Sequence, residues 1–439
     1  MIFRQAKIVA IFVALFAMPS FAYANVASIF GFGPLSMSTG ATSFLAGQYD
    51  SFSVYSAPAA LGYISNVEAS LGYISMDPDL KPFGTLVLNS NGTLGEFSES
   101  GVLPGTGQTL AFSLPLGNKS RPITVGGAFY LPSSSLARVS GSPVNYPFYP
   151  MYSDISRNAF YVFGVGYRIL GKLAIGMNFR SSVKSIAEYQ LRADNTINYS
   201  ASAVEARSQS RFSVSAIFDS GYGGGKDPSV VGAMYRAKSS METKLSADIS
   251  SFVPVQGILT STAAYSPAEW VLSYSKRFDS IGLTGSFDAA WVKWSGYTSP
   301  YGSGNINYYA IGDARKEAGF KDVFVPRIGL EKSSLHSGTI RKLSARVGYF
   351  HYPSPVPDQT GDSNFVDSTR DTFTAGLGAG FRNPRHPGDD NLIRLDVYFQ
   401  YNRLANRQIT KKSSTNVGSP GYLAGGKILL YGLAGTFVF

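Results

Sequence analysis

The 439-residue sequence predicts an all-β protein, a transmembrane antiparallel β-barrel of about fourteen strands. Three observations predict it. Apolar residues alternate with polar or small ones in segments separated by Gly, Pro, Asn, Asp and Ser clusters. Charged residues make up only 15% of the chain, below the roughly 25% usual in soluble domains, while Tyr (27), Phe (30) and Gly (47) are abundant. The chain also opens on an export signal.

That signal comes first in the sequence. Arg4 and Lys7 form a basic start, Ile8 to Met18 is an apolar run, and Ala22-Tyr23-Ala24 is a small-residue cleavage site. The run is short and is broken by Pro19 and Ser20, so residues 1–24 read as a signal peptide rather than an anchor. No later apolar run is long enough for a membrane-spanning helix. The sequence has no cysteine, which excludes disulfides and thiolate metal sites and argues against a disulfide-stapled extracellular design. The net charge is +10, but the Lys and Arg are scattered, so no nucleic-acid footprint is expected.

The alternation is clearest in three segments. In "LIRLDVYFQY", Ile393, Leu395, Val397, Phe399 and Tyr401 oppose Arg394, Asp396, Tyr398 and Gln400. In "DTFTAGLGAGF", Phe373, Ala375, Leu377, Ala379 and Phe381 oppose Thr372, Thr374, Gly376, Gly378 and Gly380. In "FYVFGVGYR", Tyr161, Phe163, Val165 and Tyr167 oppose Gly164, Gly166 and Arg168. A soluble sandwich also alternates, with its apolar face inward. A membrane barrel turns apolar residues to lipid and keeps polar or small ones for the lumen. The aromatic strand ends, the signal peptide and the absent cysteines favour the barrel.

Strands are expected to start near Glu68, Gly107, Pro122, Arg157, Lys172, Arg211, Val230, Glu269, Gly282, Asp322, Leu343, Asp371, Leu392 and Lys427. The total is even, as closed bacterial barrels require. Asp77 to Pro104 and Leu131 to Ile155 are expected to be long polar loops. The last segment, "KILLYGLAGTFVF", puts Leu429, Tyr431, Leu433, Phe437 and Phe439 on one face and ends on Phe439. Such an aromatic end resembles the assembly signal of bacterial outer-membrane barrels, which implies the barrel-assembly machinery as a partner.

"YSAPAALG", "GYISMDPDL", "AEWVLSYSKRF", "AAWVKWSGY", "AGFKDVFVPRIGLE" and "YFHYPSPVPDQ" follow one another in an order and spacing found in one family. The most specific stretches are Gly319-Phe320-Lys321-Asp322 and Ser354-Pro355-Val356-Pro357. By these the chain resembles the outer-membrane long-chain fatty acid and aromatic hydrocarbon transporters (the FadL and TodX type, OMPP1) over nearly its whole mature length. The resemblance implies an N-terminal hatch inside a fourteen-stranded barrel. Residues 25–62 would form it and residues 63–439 the barrel. The composition of the segment suits that place. It is rich in Gly, Ala and Ser and nearly uncharged, which permits close backbone approach and avoids buried unpaired ions. Its Phe44, Leu45, Phe52 and Tyr55 call for burial, which a disordered linker does not provide.

The family's mechanism then becomes the expectation here. A hydrophobic ligand is captured from outside, held in the barrel, and released sideways into the bilayer beside a kinked third strand. Ala57-Pro58-Ala59 stands where the family has Asn-Pro-Ala, so the hydrogen bonds of that Asn are missing. Gly126, Gly127 and Pro132 are the candidates for the third-strand kink, since Gly weakens a ladder and Pro removes a donor. Lys316 stands at the position of a lysine that holds the substrate carboxylate. The family's second basic contact, at the end of the fifth strand, falls near Glu188 with Lys184 and Arg192 as neighbours, which leaves room for a neutral ligand. Lys321 and Asp322 are expected to form a structural ion pair.

Other chemistries find no support. His336, His351 and His386 lie far apart with no metal-ligand spacing, and G-x-S-x-G is absent. "GYGGGKD" at Gly221 to Asp227 lacks the Ser or Thr of a phosphate loop and reads as a turn. "GLGAG" at Gly376 to Gly380 sits in a strand, not before a helix, so it is no dinucleotide site. The expected function is passive uptake of hydrophobic compounds, above all long-chain fatty acids, by a monomeric barrel without metal or cofactor. It would lie in the outer membrane among lipids and lipopolysaccharide. The alternative is an aqueous porin or receptor barrel with no dedicated hydrophobic ligand.

Overall fold

The structure is a computed structural model. It describes residues 26–439 apart from 89–90, 117–122, 134–145, 153–158, 183–184, 192–199, 209–210, 222–225, 249–255, 298–302, 307–308, 312–317, 336–337 and 383–391. Strands within 185–208, 240–264 and 303–311 are described by their backbone alone. The signal-peptide reading, Lys316, Lys184 and Arg192 lie outside the described residues.

Fourteen antiparallel strands close into a barrel: β1 (Glu68–Leu80), β4 (Gly105–Leu116), β5 (Ile123–Pro132), β6 (Phe160–Leu170), β7 (Leu173–Ser182), β10 (Arg211–Asp219), β11 (Ser229–Arg236), β14 (Ala268–Phe278), β15 (Leu283–Lys293), β18 (Val323–Leu335), β19 (Ile340–Tyr352), β20 (Arg370–Arg382), β21 (Leu392–Thr410) and β22 (Gly421–Val438). Closure comes from β1, which pairs with β4 on one side and β22 on the other. Closing the sheet satisfies every strand edge, as a bilayer demands. Strand starts follow the sequence reading closely. The largest difference is β22, which begins at Gly421 rather than Lys427.

Two loop expectations need correction. Asp77 lies inside β1, which runs on to Leu80, and the segment beyond it folds into a hairpin of β2 (Gly84–Val87) and β3 (Leu94–Phe97). Leu131 still belongs to β5. The remaining strands, β8 (Ser185–Leu191), β9 (Ser200–Ser208), β12 (Ser239–Asp248), β13 (Gln256–Ser266), β16 (Ser303–Ile306) and β17 (Tyr309–Ile311), form a second, six-stranded sheet. It is built from the long connections on one side of the barrel, and the sequence analysis missed it. Those segments carry few large apolar residues, so period-two alternation is weak there.

The faces are those of a membrane barrel. Phe373, Leu377, Leu395, Val397 and Phe399 are exposed outward, while Thr372, Thr374, Asp396 and Gln400 are buried inward. Around the barrel the outward belt includes Leu71, Leu272, Trp270, Trp291, Phe324, Val347 and Leu433. In water such a surface would be costly; in lipid it is the favourable arrangement.

The interior holds the N-terminal segment. It comprises three short helices, Val26–Phe30, Pro34–Ser38 and Ser53–Ser56, and a 3₁₀ helix, Pro58–Tyr63. Phe44, Leu45, Phe52 and Tyr55 are all buried, as their burial requirement predicts. Wall glycines explain how so much chain fits. A Cβ at Gly348 would collide with the Gly40 amide and the Thr39 carbonyl carbon, and one at Gly176 with the Ala59 amide. A Cβ at Gly232 would come within 2.6 Å of Phe44. Gly40 itself has φ of 68°, in the left-handed region that glycine alone enters at no steric cost.

Candidate functional site

The segment is fastened to the wall by hydrogen bonds to buried side chains, which satisfy its irregular backbone. Ser43 donates to Asp288 from both its amide (2.8 Å) and its hydroxyl (2.7 Å). The amides of Gly40, Ala46 and Ala59 donate to Thr374, Ser275 and Ser215. Gln400 donates to the carbonyls of Phe30 and Met37, and Asn178 to that of Val54. The expected motif therefore holds by other means than the missing Asn. Ala57 and Ala59 pack in a small apolar cluster with Phe44, Ile217 and Val230, and Pro58 opens the 3₁₀ helix.

Between this segment and the wall lie two small luminal lobes, of about 20 and 30 Å³, both lined by Ser28, Ile29, Arg236, Arg327 and Tyr352. The helix Val26–Phe30 contributes Ser28 and Ile29 to both. One lobe adds Met151, Tyr265, Val292, Trp294 and Glu269; the other adds Phe32, Tyr55, Met234 and Phe350. The first lobe is lined mainly by apolar and aromatic residues, while the second is about half polar, with Ser36, Ser43 and Ser56 beside the arginines.

Those charges are the notable feature. Glu269, on β14, is gripped by Arg236 of β11 and by Arg327 of β18, the latter at 2.5 Å. Arg180, at the end of β7, is buried beside them and contacts the Tyr55 hydroxyl at 3.5 Å. Its Nε and Nη2 have no hydrogen-bond partner among the described residues, nor has Nε of Arg236. Both guanidiniums lie over the Tyr55 ring, at 5.7 Å and 4.7 Å. Asp288 is a second carboxylate within electrostatic reach of Arg327. Three guanidiniums thus face two carboxylates, leaving one buried positive charge uncompensated among the described residues. Such a group is costly unless an anion meets it.

This arrangement corrects one reading. The basic residue at the end of the fifth barrel strand is Arg180, not the neighbourhood of Glu188. Glu188 lies on β8, beyond the barrel strand and eight residues after Arg180. Arg180 carried a usable signal, a lone arginine among the apolar and small residues of "LAIGMNFRSS".

The family stretches meet in the roof of the cavity. Phe320 stacks on Tyr297 at 4.5 Å and packs against Phe365 and Trp294. The Lys321 amide donates to the Pro355 carbonyl (2.8 Å), so Gly319–Asp322 and Ser354–Pro357 are joined directly. Lys321 and Asp322 do not form the expected ion pair; Asp322 instead accepts the Ser295 amide at 2.8 Å. Trp294 donates to the Tyr352 hydroxyl at 2.7 Å, tying roof to wall.

Gly126 and Gly127 are paired on both sides in unbroken register, with Ser113 and Phe112 of β4 and with Gly164 and Phe163 of β6. The expected break does not lie at these glycines. They admit bulk instead: Leu61 sits against Gly126, and the Phe112 and Phe163 rings against Gly127. Pairing of β5 to β6 runs only to Tyr130, whereas pairing to β4 continues to Pro132 opposite Gly107. Among the described residues, β5 loses its partner on one side just before Pro132.

Asp367, in the roof, is buried and its Oδ1 has no hydrogen-bond partner among the described residues. Burial pushes its carboxyl up to about 6. The folded protein therefore binds this proton more tightly than the unfolded chain. Its contribution is most favourable below about pH 4 and is lost as pH rises toward 6, at a cost of about 3 kcal/mol. Asp367→Asn is expected to raise thermal stability at pH 8 and leave it unchanged at pH 4. Equal effects at both values would contradict this.

No protein-family model matches the chain, and no curated protein matches its sequence. Solved structures do match its fold. A Pseudomonas aeruginosa FadL homologue aligns over 95% of this chain and 99% of its own, with a TM-score of 0.58 and 14% identity. The Pseudomonas putida toluene transporter TodX covers 93% and 99% at TM-score 0.52 and 14% identity. The Ralstonia pickettii toluene transporter TbuX covers 94% and 100% at TM-score 0.51 and 17% identity. The chain is a plugged fourteen-stranded barrel. Its fold is that of the FadL and TodX barrels.

Proposed function

We propose that this protein lies in a bacterial outer membrane and passively takes up hydrophobic compounds bearing an acidic group, above all long-chain fatty acids. The observation that carries the reading is the uncompensated cation of Arg180, Arg236 and Arg327 against Glu269 and Asp288, set beside a lobe lined mainly by apolar and aromatic residues inside the barrel. A carboxylate would neutralise the cluster through charge-assisted hydrogen bonds, and an alkyl chain would lie along the aromatic wall. The solved barrels of the same fold include toluene transporters and a FadL homologue, which supports a hydrophobic cargo; the acidic group rests on the arginine cluster alone.

The helix Val26–Phe30 lines both lobes through Ser28 and Ile29, and both are too small for a long chain, so binding would require that helix to give way. Displacement of the hatch start is how capture would be coupled to release. Release sideways is favoured for an apolar cargo, since exposing each CH₂ to water costs about 0.8 kcal/mol. The place for it would be the end of β5 near Pro132, where pairing to β6 runs no further than Tyr130 among the described residues. Lys316 is a further candidate for the carboxylate during entry. A filled lumen speaks against an aqueous porin.

The test is saturable binding of radiolabelled oleate to detergent-purified protein, with toluene as competitor and Lys316→Ala alongside. Tight oleate binding that toluene displaces poorly is the expected result. Toluene displacing oleate as readily as unlabelled oleate does would move the cargo to neutral hydrocarbons.

A further inference from the structure

On the outside of the barrel, β21 carries a bulge between Leu404 and Arg407, opposite Gly425 and Gly426 of β22. Both glycines have left-handed φ, and a Cβ at Gly426 would collide with the Asp79 carbonyl. The bulge and the close strand approach leave a concave site lined by Asp79, Lys81, Tyr401, Arg403, Asn406 and Lys427 among others. Bulges are built features that re-aim side chains.

The height of this site is fixed by the ladder. The outward residues of β22 run Phe437, Leu433, Tyr431, Leu429 and then Lys427. From Phe437 to Leu429 is about 27 Å along the strand, or roughly 20 Å of height at the usual tilt, close to the apolar thickness of a barrel belt. Across the sheet at the level of Leu429 stand Tyr401, Phe373 and Tyr349, an aromatic rim. One outward step beyond that rim the row reads Asp79, Lys427, Arg403, Asp371 and His351. The site therefore sits at the headgroup level, on the side away from the chain terminus.

Two cations face each other there, Arg403 directly opposite Lys427, with Lys81 on the same rim. Like charges opposite one another destabilise a sheet unless an anion joins them. The carboxylates present are engaged. Asp79 lies 3.3 Å from Lys427, and Asp371 accepts the Tyr349 hydroxyl at 2.8 Å with His351 Nδ1 also at 2.8 Å. Arg403 stands opposite Asp371 and within its electrostatic reach, but makes no hydrogen bond or close ion pair with any described residue. We infer that this concavity binds the phosphate of a lipid headgroup, that of lipid A in the outer leaflet. Arg403 and Lys427 grip the phosphate while Tyr401 lies against the start of the acyl region. The inference rests on the outer-membrane reading but not on the identity of the cargo.

The test uses the whole mature protein in detergent, with retained lipid counted by native mass spectrometry. The probes are diphosphorylated lipid A, phosphatidylethanolamine and inorganic phosphate. Wild type is expected to retain lipid A in preference to both others. Arg403→Ala with Lys427→Ala should lower that retention by about tenfold or more, and Asp79→Asn, which removes a competing carboxylate, should raise it. Heat-modifiable migration verifies folding, and Arg403→Gln alone replaces the double variant if that fails to fold. Unchanged retention in the variants, equal retention of phosphatidylethanolamine, or displacement of lipid A by millimolar phosphate would overturn the inference. Oleate binding by the same variants should stay at the wild-type level. A wild type that ignores oleate yet retains lipid A would sink the cargo reading and leave this one standing.

Discussion

Gly348→Val is expected to expel the hatch. Residue 348 faces the lumen on β19, and any Cβ there would overlap the backbone of Thr39 and Gly40. The wall cannot yield, because Gly348 is laddered to Gly329 on one side and Thr374 on the other. The hatch must move, and with it go the Gly40 bond to Thr374 and the Ser43 bonds to Asp288. Overpacking of this kind costs about 1–3 kcal/mol, and each buried group left unpaired adds a similar amount. The hatch has only short helices to resist with. Limited proteolysis should cut the variant within residues 26–62 under conditions that leave wild type intact, with the barrel itself resistant. Gly361→Ala, where a Cβ meets nothing within 4 Å, is the matched control and should behave as wild type. Proteolysis indistinguishable between Gly348→Val and wild type would mean that the hatch is not held by this contact.

Arg180→Gln is expected to weaken oleate binding by about tenfold or more, since a hydrogen bond to a charged group contributes about 1.5–3 kcal/mol. This position isolates the ligand effect better than its neighbours do. Arg236 and Arg327 hold Glu269, so removing either strips a buried carboxylate of a partner and confuses binding with folding. Arg180 is the guanidinium with the most unpartnered donors in the cluster, and glutamine keeps a contact to Tyr55 within reach. Binding of toluene, which offers no carboxylate, should be unaffected. Equal loss for both ligands would point to a collapsed cavity rather than a lost charge.

The barrel was legible in the sequence because lipid imposes a strict rule on each wall residue. Leu395, Val397 and Phe399 must face outward, and Asp396, Tyr398 and Gln400 must face inward, so the strand announces itself. The hatch was legible for a complementary reason. Phe44, Leu45, Phe52 and Tyr55 needed burial, and Gly348, Gly176 and Gly232 in the wall are the space they and their backbone require. The arginine cluster was not legible. Arg180, Arg236, Glu269 and Arg327 come from four strands far apart in sequence, and only closure of the barrel brings them together. A period-two pattern reports which way each points and nothing about its neighbours. Gly126 and Gly127 misled because glycine in a strand serves either a break or a close approach, and here the bulk of Leu61 and Phe112 decides for approach. The six-stranded second sheet escaped notice because its segments carry no sustained alternation of large apolar residues.

The central claim is that the lumen binds an apolar acid with its carboxylate at the arginine cluster. A crystal structure of the protein with a terminally brominated long-chain fatty acid tests it most directly, because the bromine marks the alkyl end by anomalous scattering. The account predicts the carboxylate within about 3 Å of Arg180 or Arg236, the chain along Tyr265, Trp294 and Tyr352, and the helix Val26–Phe30 displaced. A bromine signal confined to the outer surface, with that helix in place and the cluster unchanged, would contradict it.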